Sequence, residues 1–148
     1  MEIFSAGTSG TSAEGFFTRL KLADVSAVVD TRIHPSSQLA AFAKAKDLSY
    51  FLRELVDIPY SHETLLCPEE EALRGYRATK MSWSEYEVRY LDLLARRKVE
   101  TAIDPSPWGL RPLLLCSEPS AERCHRRLAA HYLQSAWGEG TVPRIVHL

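Results

Sequence analysis

Side chains capable of chemistry crowd into residues 116–127, directly after an apolar run that is typical of a buried strand. A cysteine thiolate is a nucleophile, a carboxylate can move protons and a guanidinium binds anions. We therefore predict that Cys116 assists catalysis or acts as the nucleophile and that Glu118 transfers protons. His125 and Arg126 are predicted to contact the ligand, with the guanidinium holding an anionic group.

Polar side chains also follow three other predicted strands. These further candidates are Gly7, Thr8, Ser9, Asp30, Arg32 and Tyr60. The glycine-bracketed segment Gly7–Gly10 can offer backbone N–H groups to an anion, or it can be a plain turn with a helix cap. Asp30 is predicted to share proton transfer with Glu118. Arg32 is predicted to hold the anion, but residues two apart lie on one side of an extended chain, so an Asp30–Arg32 ion pair is equally open.

Structural interpretations stand beside the catalytic ones. A helix N-terminus and several arginines nearby would lower the pKa of the Cys116 thiol, yet free cysteine is also among the most buried residue types. Cys124 shares an i, i+4, i+8 row with Leu128 and Tyr132, which favours a position facing the core. A metal site built from the two thiols and His125 lacks standard zinc spacing and a fourth ligand, so no metal is assigned.

The elements that must position these groups alternate between strand and helix. Apolar runs predict strands over residues 3–6, 25–30, 58–62, 112–116 and 142–147. Helices are predicted to start at Thr11 or Ser12, to cover 38–56, to start at a Ser82 capping box, and to run from about Ser120 to Trp137. Residues 63–81 are predicted to be irregular or only partly helical, as in a lid or binding loop.

This alternation favours a single α/β domain over residues 1–148, a three-layer α/β/α sandwich with a mainly parallel sheet of about five strands. Such an arrangement is Rossmann-like or flavodoxin-like, and we predict the strand order 3-2-1-4-5. In parallel sheets, ligands bind at the carboxyl ends of the strands. The candidate side chains are therefore expected to converge at one edge of the sheet.

Composition restricts the function classes. With 148 residues, 45% of them hydrophobic, and a formal net charge of −1, the chain has no global attraction for nucleic acid or anionic membranes. No apolar run reaches the roughly 20 residues that span a bilayer. The first residues lack a signal-peptide pattern, and three cysteines fit a reducing compartment. A cytoplasmic location without a membrane partner is therefore expected.

Taken together, these residues resemble the bacterial and archaeal family known as domain of unknown function 488. Leu114–Glu118 and Cys124–Arg126 resemble that family's Leu-Leu-Cys-x-Glu and Cys-His-Arg signature, and Val29–Arg32 adds support. The chain departs from the family where Gly7–Ser9 replaces Gly-His-Ser and where Glu63–Cys67 replaces Leu-Gly-Gly. The resemblance implies an α/β fold and a shared polar cluster, without an established activity.

Three functions fit these observations. The leading hypothesis is an enzyme that binds a small anionic or nucleotide-like substrate at the carboxyl ends of the strands. The alternative is a non-catalytic regulatory module that binds a ligand or a nucleic-acid end, although no interleaving of basic and aromatic residues supports a nucleic-acid platform. Thiol redox chemistry is a third and requires Cys116 and Cys124 to come within disulfide distance. No phosphate-loop or dinucleotide fingerprint is present, so the cofactor is unknown, and the oligomeric state is likewise open.

Overall fold

Five parallel strands form the centre of the molecule. The structure, a computed structural model, describes residues 1–36 and 39–148. The strands are β1 (Glu2–Gly7), β2 (Ala27–Asp30), β3 (Tyr60–His62), β4 (Pro112–Cys116) and β5 (Arg144–His147). Each strand pairs with its neighbours in parallel, in the order β3-β2-β4-β1-β5.

The position of β4 in the middle of the sheet differs from the prediction. The parallel five-stranded arrangement is confirmed, but the predicted order 3-2-1-4-5 is wrong, because β4 pairs with both β2 and β1. Every residue of β4 is buried, whereas the edge strands β3 and β5 are short and partly exposed. A run without polar side chains is best placed at the centre, since edge strands face water.

Six α-helices and four shorter helical turns connect the strands in the described part of the chain. The helices are α1 (Ala13–Leu22), α2 (Ala45–Phe51), α3 (Glu70–Arg77), α4 (Trp83–Arg97), α5 (Val99–Ala102) and α6 (His125–Trp137). The turns are 3₁₀ at Ala41–Ala43, Thr64–Leu66 and Ser106–Trp108, and π-helical at Leu52–Val56. Over the described ranges, none of the helices combines the length and apolar character needed to cross a membrane.

The sheet separates two apolar cores, because successive strand residues point to opposite faces. On one face, Phe4, Val28 and Leu113 pack with Phe16 of α1 and Leu48 of α2. On the other face, α3 to α6 cover the sheet, and the buried residues there include Ile3, Ala72, Tyr86, Tyr90, Val99, Leu114 and Leu133. The three-layer α/β/α sandwich is therefore confirmed, and it carries α3 and α6 to the edge where β2 and β4 end.

The structure divides one predicted helix and agrees with the prediction of a partly helical segment. The helix expected over 38–56 is divided into a 3₁₀ turn, α2 and a π-helical turn, and residues 37 and 38 lie outside the described residues. Residues 63–81 are partly helical as predicted, since they contain a 3₁₀ turn and α3.

The last helix begins later than the sequence predicts, at His125 rather than near Ser120. Arg126 explains the difference, because it donates hydrogen bonds to the carbonyl oxygens of Glu118 (2.6 Å) and Pro119 (3.4 Å). These contacts hold residues 117–124 as a loop outside the helix.

Side-chain caps fix where α1 and α4 begin, as predicted. The Ser12 hydroxyl accepts a hydrogen bond from the N–H of Gly15 at 3.0 Å. At α4, the Ser82 hydroxyl accepts from the N–H of Glu85 at 3.2 Å, and the Glu85 carboxylate accepts from the N–H of Ser82 at 2.8 Å. The hydrogen bond from the Ser82 backbone lowers the pKa of Glu85. The complete capping box therefore determines the start of α4.

Replacing Ser82 with Ala should lower the free energy of unfolding by about 1 kcal/mol, because an N-cap hydrogen bond is lost. Ser84→Ala is the matched control: this serine is exposed in the same helix, and its loss should cost less than about 0.5 kcal/mol. Urea unfolding followed by circular dichroism measures both changes. Equal losses in the two variants would contradict the capping role.

Candidate active site

The loops after β1 and β4 lie against each other at the carboxyl edge of the sheet. The N–H groups of Thr8 and Ser9 donate to the carbonyl oxygens of Cys116, at the end of β4, and Ser117, at 3.1 and 3.0 Å. A Cβ atom on Gly7 would lie 1.7 Å from the carbonyl oxygen of Glu118, so only glycine permits this approach of two backbones. The ligand contacts predicted for Gly7, Thr8 and Ser9 stay a prediction, and the geometry gives these residues a structural role.

The guanidinium of Arg126 is buried beneath these loops, with 1% of the residue exposed. Its Nη1 donates to the sulfur of Cys116 at 2.6 Å and lies 3.5 Å from the sulfur of Cys124, while Nε donates to the Ser5 hydroxyl at 3.3 Å. The contacts that the structure describes for this guanidinium include no carboxylate. Because a buried cation requires a counter-charge, a thiolate must supply it. Arg126 thus binds the protein's own anion, and a contact with substrate stays a prediction.

The two thiols beside this cation form a hydrogen-bonded pair. The sulfurs of Cys116 and Cys124 lie 3.0 Å apart, and the N–H of Glu118 donates to the Cys116 sulfur at 3.2 Å. The hydrogen bond from Cys116 and the nearby charge of Arg126 lower the pKa of Cys124 to about 4. Burial and the adjacent thiolate raise the pKa of Cys116 well above its usual value. At neutral pH the pair therefore carries one proton and one negative charge.

The thiol with the lowered pKa is Cys124, whereas the sequence favours Cys116. The predicted helix start, near Ser120, placed Cys124 inside the helix, and the catalytic role of Cys116 stays a prediction. In the structure Cys124 is the N-cap residue of α6, at the positive end of the helix dipole. It is buried, as its apolar row predicts, but its sulfur belongs to the polar pair.

His125 lies next to the thiol pair and is held by Thr31. Its Nε2 faces the carbonyl oxygen of Thr31 at 3.1 Å and the Thr31 hydroxyl at 3.0 Å. A carbonyl oxygen only accepts hydrogen bonds, so Nε2 carries the hydrogen, and Nδ1 faces the sulfur of Cys124 at 3.9 Å. A thiol, an imidazole and a group that orients the imidazole are the parts of an activated cysteine nucleophile.

Two adjoining cavities open at this edge, of about 410 Å³ and about 560 Å³. Glu118 and His125 line both, together with α3, which forms a shared wall. Cys124 and Tyr86 line the smaller cavity, and Arg32 lines the larger one. Both volumes are in the range of small-molecule sites. The nucleophile candidate therefore borders a space in which a small substrate fits.

Two buried polar atoms at these cavities have no hydrogen-bond partner among the described residues. They are the hydroxyl of Tyr86 and Nη1 of Arg32, in residues that are 1% and 3% exposed. Burial raises the pKa of Tyr86, so its hydroxyl stays protonated. Because an unpaired buried donor costs free energy, both groups are suited to bind a ligand.

Asp30 is fully buried and anchors Arg32. Its carboxylate accepts hydrogen bonds from Nε (2.8 Å) and Nη2 (2.6 Å) of Arg32 and from the Tyr60 hydroxyl (2.7 Å). The ion pair that the sequence left open is therefore formed. Neither Asp30 nor Tyr60 is among the described residues that line the two cavities. Proton transfer by Asp30 and ligand contact by Tyr60 stay predictions, and the geometry makes both residues supports for Arg32.

The Glu118 carboxylate lies at the rim of both cavities, paired with Arg77 of α3 at 2.8 Å. The two side chains are 43% and 56% exposed. An exposed ion pair of this kind contributes at most about 1 kcal/mol, so it separates readily when a ligand enters. Glu118 is therefore within reach of a bound substrate, as its predicted role in proton transfer requires.

Comparison with known families gives a classification. The sequence profile described as Domain of unknown function DUF488 matches residues 12–133. The chain belongs to this family. The matched range includes both thiols of the pair, His125 and Arg126, and the family resemblance is thereby confirmed. No curated protein and no solved structure matches the chain significantly.

Sequence reasoning missed Tyr86 and Arg77 as residues that line the cavities, and it considered Cys124 only for a metal site or a redox pair. Cys124 could have been found from the Cys-His-Arg run, had the helix start been placed at the histidine. Tyr86 follows the apolar spacing of α4, so nothing in its pattern separates it from the aromatic core residue Tyr90. Arg77 reaches the site because α3 folds back over the strand ends, which depends on tertiary packing.

Replacing Gly7 with Ala should destabilise the protein by at least about 3 kcal/mol, because the new methyl group overlaps a backbone carbonyl that cannot move aside. Gly75→Ala is the control, since a Cβ there meets only the Met81 side chain at 3.8 Å and α3 gains up to about 1 kcal/mol. Calorimetric melting compares the two. A Gly7→Ala variant that melts at the wild-type temperature would contradict the close approach.

Alkylation of Cys124 should depend little on pH. In a Cys67→Ser variant, the rate with iodoacetamide should change less than about twofold between about pH 6 and pH 8, because the thiolate is already formed. Cys67 is replaced so that no third thiol can be labelled, although burial raises its pKa to about 12 and keeps it protonated. Peptide mass mapping identifies the labelled thiol. A rate that rises about tenfold per pH unit, as for an ordinary thiol, contradicts the lowered pKa.

Proposed function

We propose that this protein is an enzyme that binds a small anionic substrate in the two cavities and attacks it with the Cys124 thiolate. One observation carries the proposal: Cys124 lines the cavity of about 410 Å³, while Cys116 and Arg126 contact its sulfur. A nucleophile of this kind needs a lowered pKa and an accessible reaction partner. The other groups around it then take defined roles.

His125 is the residue that moves the proton. Its Nδ1 faces the Cys124 sulfur, so it can take up the thiol proton and later return it to a leaving group. Glu118 is the second proton carrier, at the rim of the cavities. Cys116 assists by donating a hydrogen bond to the thiolate.

Several features favour an anionic substrate. Nη1 of Arg32 is a buried donor without a partner among the described residues, at the larger cavity. The N-terminus of α6 presents its positive dipole end beside the smaller cavity. Tyr76 and Tyr86 stack with their ring centroids 5.1 Å apart, and both line the smaller cavity, whose aromatic wall suits a planar group. A nucleotide-like substrate combines these two properties.

Competition between two alkylating agents tests the proposal. Iodoacetate carries the negative charge that the site is built to bind, and iodoacetamide does not. In the Cys67→Ser background, the rate at which iodoacetate labels Cys124 should saturate with iodoacetate concentration. The ratio of the iodoacetate rate to the iodoacetamide rate should be at least about tenfold higher for Cys124 than for glutathione. Inorganic phosphate should protect the thiol.

Three variants complete the experiment. Arg123→Gln removes an exposed cation at the smaller cavity and should reduce the preference for iodoacetate, whereas Arg96→Gln, on α4 and paired with Asp92, should leave it unchanged. Cys124→Ser should abolish labelling. Labelling that never saturates, or that follows the glutathione ratio, overturns the proposal.

A further inference from the structure

The thiol of Cys116 is close enough to Cys124 for a covalent bond as well as a hydrogen bond. An S–S bond is about 2.05 Å long, so the sulfurs of Cys116 and Cys124, which lie 3.0 Å apart, need to approach by only about 1 Å to form it. A thiol in contact with a reactive thiolate is the arrangement in which the first covalent product is resolved by a disulfide.

The two thiols differ in access, which fixes the order of their reactions. Cys124 lines the smaller cavity, whereas Cys116 is fully buried at the end of β4 and lines neither of the two cavities that adjoin the described loop. A substrate therefore reaches the Cys124 sulfur first. Cys116 reacts only with the covalent product that has already formed on Cys124.

The surroundings of Arg126 indicate the class of oxidant. Disulfide formation removes the thiolate that balances this buried cation, so the geometry stabilises the reduced pair. A dithiol whose reduced form is stabilised is a strong oxidant once it becomes a disulfide. Its oxidation consequently requires a reagent more oxidising than an ordinary disulfide. Hydroperoxides meet this requirement.

We infer that the protein reduces a small hydroperoxide by two electrons, with Cys124 as the attacking thiol and Cys116 as the resolving thiol. This inference rests on the proposed function of Cys124 as a nucleophile. The thiolate attacks the outer oxygen and the O–O bond breaks. The departing oxygen takes from His125 the proton that Nδ1 received from the Cys124 thiol, so that the alcohol leaves and a sulfenic acid remains on Cys124. Cys116 then attacks that sulfur, the S–O bond breaks, and water leaves with the Cys116 proton.

The atoms and electrons of this reaction balance. Two thiols and one hydroperoxide give one disulfide, one alcohol and one water, and an external dithiol returns the pair to the reduced state. The Tyr86 hydroxyl, which lacks a described partner at the same cavity, is placed to donate to the departing oxygen. The cavity thus holds the donor that such a leaving group needs.

Mass spectrometry of the protein treated with hydrogen peroxide tests the inference in the Cys67→Ser background. The pair should lose two hydrogen atoms and recover them with dithiothreitol. Adding Cys116→Ser should instead give a product one oxygen atom heavier, which dimedone traps on Cys124. Adding Cys124→Ser should leave the mass unchanged. Cumene hydroperoxide with dithiothreitol should be consumed catalytically when both thiols are present and should not be consumed by the variant with Cys124→Ser.

The outcomes separate this inference from the proposed function. If iodoacetate labels Cys124 with saturation but peroxide leaves both thiols reduced, the reductase inference is overturned and the nucleophile stands. If neither iodoacetate nor peroxide reacts at Cys124, both the reductase inference and the proposed function are overturned. Oxidation by glutathione disulfide at the rate seen with peroxide overturns the hydroperoxide class. A sulfenic acid that persists with Cys116 present overturns the resolving role.

Discussion

The burial of one positive charge without a carboxylate partner governs the architecture of this site. Arg126 is almost completely enclosed, and its described contacts are two sulfurs, a hydroxyl and carbonyl oxygens. Enclosing a guanidinium among neutral groups is costly, and a thiolate in contact removes most of that cost. The same contacts hold the loop after β4 in place. The fold of this loop and the ionisation of the two thiols therefore both depend on the buried guanidinium of Arg126.

Much of the architecture could be read from the sequence, because it depends on local patterns. Apolar runs marked all five strands, and the Ser82 capping box marked the start of α4. Strand order does not follow from local patterns, because it depends on pairing between strands that are far apart in the sequence. The predicted pairing of β1 with β2 is wrong, because β4 lies between them, and its buried Leu113, Leu114 and Leu115 suit the centre of the sheet.

The candidate site was predictable in composition but less so in arrangement. The convergence of Arg32 and Glu118 at one edge follows from parallel strands, and both line the larger cavity. The sequence position of Asp30 does not reveal that Arg32 and Tyr60 donate hydrogen bonds to its carboxylate, so its support of Arg32 could not be predicted. The start of the last helix, at His125 rather than near Ser120, makes Cys124 the N-cap residue. Helix boundaries are difficult to place from sequence alone, and the position of Cys124 depends on one.

The insertion of β4 between β2 and β1 has a consequence for biosynthesis. β1 and β2 do not pair with each other, and both require a segment more than eighty positions downstream of β2. Until residues 112–116 have left the ribosome, the nascent chain holds the β2–β3 pair and a β1 strand without either of its partners. Closure of the sheet and completion of the thiol pair therefore follow the synthesis of β4, and a product that stops before this strand is left with exposed strand edges prone to aggregate.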